Sequence, residues 1–148
     1  RLIAQGEDPN EIDKYGLTPL QEAICTRKSD IANFLITLNL DLSIQDGNGN
    51  TSLHYAVEYK QLELSKVILS KNESLVNIEN DHGNHPLWIA CFKARLDKEY
   101  YKFIELLYKY NGDFHHANKV GKCPLDIAKR SGREDLKKFL DQLKGTTI

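Results

Sequence analysis

The residues of this chain that could do chemistry are three cysteines, five histidines and a glycine-rich run, Gly47-Asn-Gly-Asn50. Thiolates and imidazoles bind zinc when they cluster, but no Cys-x-x-Cys or His-x-x-x-His spacing occurs, and the adjacent His115 and His116 should point in different directions. The glycine-rich run lacks the Lys-Ser/Thr and the preceding strand of a phosphate loop, so it is interpreted as a turn. No nucleophile, base and oxyanion donor assemble. We therefore expect no enzyme, no metal and no cofactor.

Composition narrows the class of protein further. An odd number of cysteines favours a reducing compartment, so a cytoplasmic location is predicted. The longest apolar stretches fall well short of the roughly 18 residues that a membrane span requires, so no membrane partner is expected. A net charge of -1 without a basic stretch that interleaves with aromatic residues disfavours nucleic acid.

A repeated turn supplies the elements that position these side chains. Four turns of the form polar-x-x-Gly begin at Asp13, Asp46, Asn80 and Asn118, which places their starts 33, 34 and 38 residues apart. The glycine of each turn is predicted to adopt a positive φ, which a residue without a side chain reaches at little cost. A period near 33 residues predicts a stacked array of small units in place of one closed globule.

Each turn is followed by a helix start and then by a second apolar segment. Thr18 and Thr51 are placed as N-caps, and Pro19, Pro86 and Pro124 fit the first helical position, where no backbone N–H is needed. A Leu and an Ala recur in all four helix starts and are predicted to be core residues. The second segments carry apolar residues at i, i+3 and i+4, which predicts amphipathic outer helices at 30–36, 63–69, 103–108 and 134–140.

These motifs resemble the ankyrin repeat, whose signature is roughly D-x-x-G-x-T-P-L-H-x-A followed by a second helix. The resemblance implies an all-α repeat solenoid of helix-turn-helix pairs with β-hairpin finger loops. The expected units are the end of a truncated repeat at 1–12, repeat one at 13–45, repeat two at 46–79, repeat three at 80–117 and a C-terminal capping repeat four at 118–148. Because the chain opens in the middle of a unit, we expect a fragment, and its Asn, Lys and Ile usage favours a bacterial source.

Repeat three departs most from the family pattern. His85 replaces the capping Thr, Trp88 replaces the usual His, and about five extra residues lie within 92–102. Trp88 is interpreted as a core residue that compensates for the altered cap, with a ligand platform as the alternative. The insertion should lengthen the turn between the two helices. Its aromatic residues, among them Tyr100 and Tyr101, either pack the outer helix or form a second contact surface.

The resemblance also implies a non-catalytic module that binds a protein on the concave face formed by the fingers and the inner helices. Tyr15, Tyr59 and Phe92 are the candidate anchors, because aromatic side chains bury a large area at modest entropic cost. Within the repeat frame, Cys91 and Cys123 should be buried thiols and Cys25 more exposed. The repeat pattern leaves the following partner-binding candidates free: Tyr15, Leu17, Thr26, Asn48, Asn50, Glu58, Tyr59, His82, Asn84, Phe92, Lys93, Lys122 and Arg130.

Charge is distributed unevenly along the array. Residues 1–90 carry 13 acids and 7 bases, whereas residues 91–148 carry 8 acids and 13 bases. Such a dipole could steer a charged partner, although a solvated basic cap helix explains the second half equally well. Two specific functions stay open: an immunity or inhibitor protein that neutralises a toxin, and a scaffold or host-directed effector domain cut from a longer protein. A monomer is expected.

Overall fold

The computed structural model describes residues 8–146, so most of the predicted unit at 1–12 lies outside the described residues. Helices come in four pairs, one pair within each predicted full repeat, and short 3₁₀ turns occur at Glu73–Asn77 and Lys98–Tyr100. The predicted all-α solenoid is confirmed. The helices are α1 (Pro19–Cys25), α2 (Ser29–Leu35), α3 (Ser52–Glu58), α4 (Leu62–Lys71), α5 (Pro86–Ala94), α6 (Tyr101–Lys109), α7 (Pro124–Arg130) and α8 (Glu134–Thr146).

The inner helices stack in one row and the outer helices form a second layer. α1 packs against α3, α3 against α5 and α5 against α7, while each outer helix packs against the inner helix of its own pair. The recurring Leu20, Leu53 and Leu87 are at most 2% exposed, as predicted for the core. Leu125 is only partly buried, since α7 has an inner helix on one side alone. Stacking of neighbouring repeats therefore contributes to the burial of these apolar side chains.

Three of the four inner helices, α1, α3 and α5, start with a side-chain cap. The Thr18 hydroxyl accepts a hydrogen bond from the backbone N–H of Gln21, and the Gln21 amide oxygen accepts one from the N–H of Thr18. Thr51 begins α3 as an N-cap in the same way, so both predicted threonine caps are confirmed. In repeat three, Nδ1 of His85 accepts from the N–H of Trp88 at 3.3 Å, which shows how an imidazole replaces the threonine hydroxyl.

The fingers are tight turns, and residues 8–146 contain no strand. In the second finger, Oδ1 of Asp46 accepts from the N–H groups of Asn48 and Asn50, both at 2.9 Å. The residue at the same position of the other three fingers does the same. A carbonyl of each of the first three fingers also accepts an N–H from the next finger, as Asn48 does from Asp81 at 3.0 Å. An Asp or Asn at the start of every finger is therefore a turn residue.

The predicted positive φ is confirmed at all four finger glycines. At Gly83, φ is +77°, and a Cβ would lie 2.8 Å from the backbone N of Lys119 in the next finger. At Gly121 the φ is +78°, but a Cβ would meet nothing within 4 Å. Gly83 is thus required both by its own conformation and by the close approach of a neighbouring finger.

The insertion of repeat three lengthens the connection between α5 and α6, as predicted. Tyr100 is only 3% exposed, and its hydroxyl donates to the carbonyl oxygens of Val57 at 2.9 Å and Glu58 at 3.0 Å. These carbonyls belong to the last turn of α3, where intrahelical partners run out. Tyr100 therefore packs in the core, so the contact-surface alternative does not hold for this residue.

Ion pairs extend this connection to both neighbouring repeats. Lys60, just after α3, pairs with Asp97 at 2.7 Å, and Lys98 pairs with Asp135 of α8 at 3.2 Å. The guanidinium of Arg133 donates to the carbonyl of Arg95 at 2.7 Å. We call this segment, residues 95–100, the brace, because it links repeats two and four through repeat three.

Candidate functional site

A cavity of about 370 Å³ opens on the concave side, between α3 and α5 and beneath the second and third fingers. We call it the central cleft. Its walls combine aromatic rings from the two inner helices with amides from the two fingers. The lining residues are Asn48, Asn50, His54, Tyr55, Glu58, Tyr59, Asn80, Asn84, Trp88, Ile89, Phe92 and Lys93.

Two aromatic pairs dominate the walls of the central cleft. On α3 the rings of Tyr55 and Tyr59 stack with centroids 6.4 Å apart, and on α5 those of Trp88 and Phe92 stack at 5.2 Å with an angle of 10° between planes. Both pairs are spaced i, i+4, which places side chains on one face of a helix. Phe92 remains 40% exposed. The cleft thus presents apolar area that the repeat core leaves uncovered.

Arginines of the same chain lie over both aromatic pairs. The guanidinium carbon of Arg27 is 5.4 Å from the centroid of the Tyr59 ring, and that of Arg95 is 3.8 Å from the Phe92 centroid. A cation over the face of an aromatic ring is attracted by the ring quadrupole. These rings are therefore already engaged in cation–π contacts at the edges of the cleft.

One ion pair joins the two walls. Lys93 Nζ on α5 lies 3.3 Å from Glu58 Oε1 at the end of α3. The Lys93 and Glu58 side chains are 36% and 43% exposed, respectively. Because exposed pairs contribute little net free energy, solvent or another charged group can replace either partner at small cost.

Tyr55 is fixed at the floor of the cleft by a short hydrogen bond from its hydroxyl to the Asp46 carboxylate. Burial, followed by the contact with Asp46, raises the pKa of the Tyr55 phenol. The phenol therefore stays neutral over the physiological range. It connects the finger to the inner helix and has no acid–base role.

His54 lies under the cleft and connects repeats two and three. Its Nδ1 accepts from the N–H of Thr51 at 3.1 Å, so the proton is on Nε2, which donates to the carbonyl oxygen of Asn84 at 3.0 Å. Burial lowers the pKa of His54 to about 4. Gln21 has the same position in repeat one, and its Nε2 donates to the carbonyl of Asn50 in the second finger at 3.3 Å and to that of Ile44 at 2.8 Å. These side chains join each repeat to the next finger.

The corresponding position of repeat three is Trp88, whose indole Nε1 is buried without a hydrogen-bond partner among the described residues. His85 makes a different bond, because its Nε2 donates at 2.9 Å to the carbonyl oxygen of Asp113, in the segment of repeat three that leads to the fourth finger. Trp88 is partly buried and packs against the core, which agrees with the core interpretation. It also lines the cleft, and the ligand-platform alternative stays a prediction.

Seven of the predicted partner-binding residues line the central cleft: Asn48, Asn50, Glu58, Tyr59, Asn84, Phe92 and Lys93. Asn84 needs correction, because it is 9% exposed and its amide oxygen accepts from the Asn118 side chain at 2.9 Å. Its side chain is therefore a structural link between fingers and is not free for a partner. The Asn50 amide oxygen accepts from Asn80 at 3.0 Å in the same manner, but Asn50 stays partly exposed.

The other six predicted residues lie outside this cleft. Tyr15, at the tip of the first finger, is 65% exposed, with the ammonium of Lys14 5.0 Å from its ring centroid. Thr26 is exposed at the end of α1, where its hydroxyl donates to the carbonyl of Glu22. The remaining four are spread over the first, third and fourth fingers and the end of α7: Leu17, His82, Lys122 and Arg130.

Sequence reasoning missed the cleft residues Tyr55, Asn80 and Ile89 and placed His54 in the repeat pattern only. The available signal was the i, i+4 spacing of Tyr55 to Tyr59, which repeats between Trp88 and Phe92. Both pairs put a second ring beside a predicted anchor.

The cysteines are placed as predicted. Cys91 and Cys123 are buried and Cys25 is partly buried, all as free thiols. Burial raises the pKa of Cys25 to about 11, so little thiolate forms at neutral pH. Among residues 8–146, no three His, Cys, Asp or Glu side chains are grouped so as to hold a metal ion. In the same part of the chain, every helix is too short or too polar to cross a membrane.

Comparison with known proteins identifies similarity to ankyrin-repeat proteins. The family description "Ankyrin repeats (3 copies)" matches residues 1–80. The chain is 29% identical over 126 residues to human transient receptor potential cation channel subfamily A member 1, and 27% identical over 139 residues to the putative ankyrin repeat protein YahD of Escherichia coli. It is 30% identical over 109 residues to the putative ankyrin repeat protein FPV024 of fowlpox virus.

The matches differ in how much of each relative they cover. They include 85% of this chain but 11% of the human channel, and 72% of this chain but 17% of the fowlpox protein. The match to the Escherichia coli protein covers 94% of this chain and 69% of that relative.

Proposed function

Because the chain belongs to the ankyrin-repeat family, we propose that it binds another protein in the central cleft and on the fingers beside it. Ankyrin repeats are generally protein–protein interaction modules and are generally non-catalytic. The observation that carries the proposal is the pair of aromatic stacks in the cleft, with Phe92 40% exposed although it stacks on Trp88. Exposed aromatic residues in a concave site are typical anchors for a partner.

The site extends beyond the cleft along the row of fingers. Tyr15, Asn48, His82 and Val120 each precede the glycine of their finger and are exposed. We include Tyr15 as the third anchor, although it lies in a different repeat from the cleft. Lys122 and Arg130 of repeat four supply positive charge at the far end, which would slow or speed association according to the charge of the partner.

The preferred specific role is an inhibitor or immunity protein that neutralises a toxin by covering its active site. A compact array with opposite charge at its two ends suits this task, and a match over 69% of an Escherichia coli protein supports a bacterial source. The second candidate is a scaffold or host-directed effector domain of a longer protein. It is supported by the small fraction of the human and viral relatives that this chain covers.

An affinity pull-down followed by mass spectrometry tests the binding proposal. Bait protein carrying both Tyr59→Ala and Phe92→Ala should lose the partner that the unchanged protein captures. Phe34→Ala is the matched control, because Phe34 is a 60% exposed aromatic residue on the outer helix α2. Loss of the partner with Phe34→Ala and retention with the double variant would place the site on the outer face.

A captured partner also separates the two specific roles. An inhibitor should abolish the enzymatic or toxic activity of the captured protein at a one-to-one ratio. A scaffold should leave that activity intact, and the intact reading frame should extend beyond this sequence.

A further inference from the structure

The residues that line the central cleft include one carboxylate, Glu58, and one ammonium, Lys93. Residues 45–59 and 79–92 form the second and third fingers with α3 and most of α5, and they contain four acids: Asp46, Glu58, Glu79 and Asp81. The acids differ in availability. Asp46 is engaged by Tyr55 and by the amides of its finger, and Glu79 pairs with His116. Glu58 is therefore the carboxylate that lines the cleft.

Glu58 is balanced by a lysine of the same chain. Lys93 reaches it from the opposite wall at 3.3 Å, and both side chains remain more than one third exposed. Such a pair is weak, because each group also keeps much of its hydration. An ammonium or guanidinium from another molecule can therefore take the place of Lys93 beside Glu58.

The aromatic walls favour the same kind of group. Tyr59 and Phe92 each already hold a guanidinium over one ring, with Arg95 only 3.8 Å from the Phe92 centroid. The long aliphatic part of a basic side chain also buries well against aromatic rings while its charged end stays polar. A carboxylate or phosphate would pair with Lys93, but it would also lie beside Glu58 and against the negative faces of the aromatic rings.

We propose that the central cleft binds an arginine or lysine side chain from a basic segment of the partner protein, with Glu58 as its counter-ion and Lys93 as the residue that it displaces. This inference depends on the proposed function as a protein-binding module and specifies the chemistry of the partner. Tyr59 and Phe92 contact the aliphatic part of the incoming side chain. Lys93 acts as an internal competitor, so the cleft is partly occupied in the free protein.

Fluorescence anisotropy with synthetic peptides tests the proposal directly. The probe is a fluorescein-labelled peptide of repeated Gly-Arg-Ala triplets, and the comparison peptide carries Glu in place of Arg. The arginine peptide should bind the unchanged protein and the glutamate peptide should not. Glu58→Gln should weaken binding about fivefold, and Lys93→Gln should tighten it about threefold, as expected for exposed charges.

A matched control separates the cleft from general attraction to negative charge. Glu63 is also an exposed glutamate that pairs with a lysine, Lys66 at 3.2 Å, but it lies on the outer helix α4 of the same repeat. Glu63→Gln should leave the affinity for the arginine peptide unchanged. Circular dichroism of each variant confirms that it is folded.

The proposal is overturned if the arginine peptide does not bind, if both peptides bind equally, or if Glu58→Gln and Glu63→Gln weaken binding alike. Weaker binding by Lys93→Gln would also overturn it, since Lys93 would then contact an acidic partner. These results do not contradict the proposed function. If a protein is captured through Tyr59 and Phe92 but does not compete with the arginine peptide, the protein-binding proposal stands and only the inference of a basic segment is refuted.

Discussion

The junction between repeats one and two and the junction between repeats two and three are built at the same position from different chemistry. Gln21 donates from an amide to the carbonyl of Asn50 in the second finger, whereas His54 donates from an imidazole to the carbonyl of Asn84 in the third. Both side chains are almost fully buried. An amide does not titrate in water, but an imidazole does, so equal geometry produces unequal dependence on pH.

The third junction shows a different solution. Trp88 takes the equivalent position but makes no such bond within the described part of the chain, and His85 at the N-cap instead holds Asp113, in the segment of repeat three that leads to the fourth finger. Burial lowers the pKa of His85, as it does that of His54. The first junction therefore does not titrate, the second requires a neutral imidazole, and a neutral imidazole also holds the segment of repeat three that leads to the fourth finger.

The largest loss of stability is expected when the pH is lowered. The pKa of His54 is about 4 in the folded protein against 6.5 as its ordinary value, so the unfolded chain binds the proton first. Its contribution to stability is complete above pH 6.5 and is lost as the pH falls towards 4. The limit is about 3 kcal/mol, with about 2 kcal/mol lost by pH 5.

His54→Gln converts the second junction to the chemistry of the first and provides the control. Urea unfolding at pH 7.5 and pH 5 should show a smaller loss of stability for this variant than for the unchanged protein. An identical pH dependence in the two proteins would refute the assignment of acid sensitivity to His54.

The next largest loss of stability is expected where the third finger touches the fourth. Gly83→Val should lower the free energy of unfolding by about 2 kcal/mol, because a β-branched residue resists positive φ and its Cβ meets Lys119. Gly121→Val shares the φ but has open space around the Cβ. Denaturant midpoints of the two variants should therefore differ, and equal midpoints would remove the contact from the explanation.

A smaller effect is expected at the brace, which supports the second junction from outside. Tyr100→Phe removes the hydroxyl that donates to Val57 and Glu58 while it keeps the buried ring. The loss should be about 1 kcal/mol in thermal or urea unfolding, the usual net value of such a bond. Tyr110→Phe, at a partly buried tyrosine after α6, serves as the comparison and should change stability less.

The smallest effect is expected at the exposed contact between His116 of repeat three and Glu79 of repeat two. The ring centroid of His116 lies 5.1 Å from that of His85, but the His116 and Glu79 side chains are both more than one third exposed. His116→Gln should change the free energy of unfolding by only a few tenths of a kcal/mol at neutral pH. A loss above about 1 kcal/mol would mean that His116 is part of the junction itself.

Much of this fold could be predicted because its determinants are local. The caps at Thr18 and Thr51 and the glycine at Gly83 depend on backbone geometry within a few residues, which the sequence records directly. The hydrogen bond of the Asn84 side chain could not be predicted in this way, because its partner, Asn118, belongs to the next finger. Exposure at one position of a repeat is decided by the repeat beside it.

For the candidate site, the sequence likewise predicted positions but not contacts between repeats. The frame identifies which positions face the concave side, so Tyr59, Phe92 and Lys93 could be proposed without coordinates. It could not show that Lys93 reaches across to Glu58, since side chains on two helices meet according to how those helices pack. Partner identity and the boundaries of the units stay predictions.

The side-chain amides that join the fingers have a mechanical consequence. Asn80 donates to Asn50 at 3.0 Å and Asn118 donates to Asn84 at 2.9 Å, in parallel with the backbone bonds between fingertips. Because neighbouring fingers are hydrogen-bonded to one another, a displacement of one fingertip is transmitted to the next. A partner that displaces the second finger must therefore deform the third and fourth as well. The hydrogen bonds therefore fix the spacing between fingertips, and the contact points on a bound surface have to match that spacing.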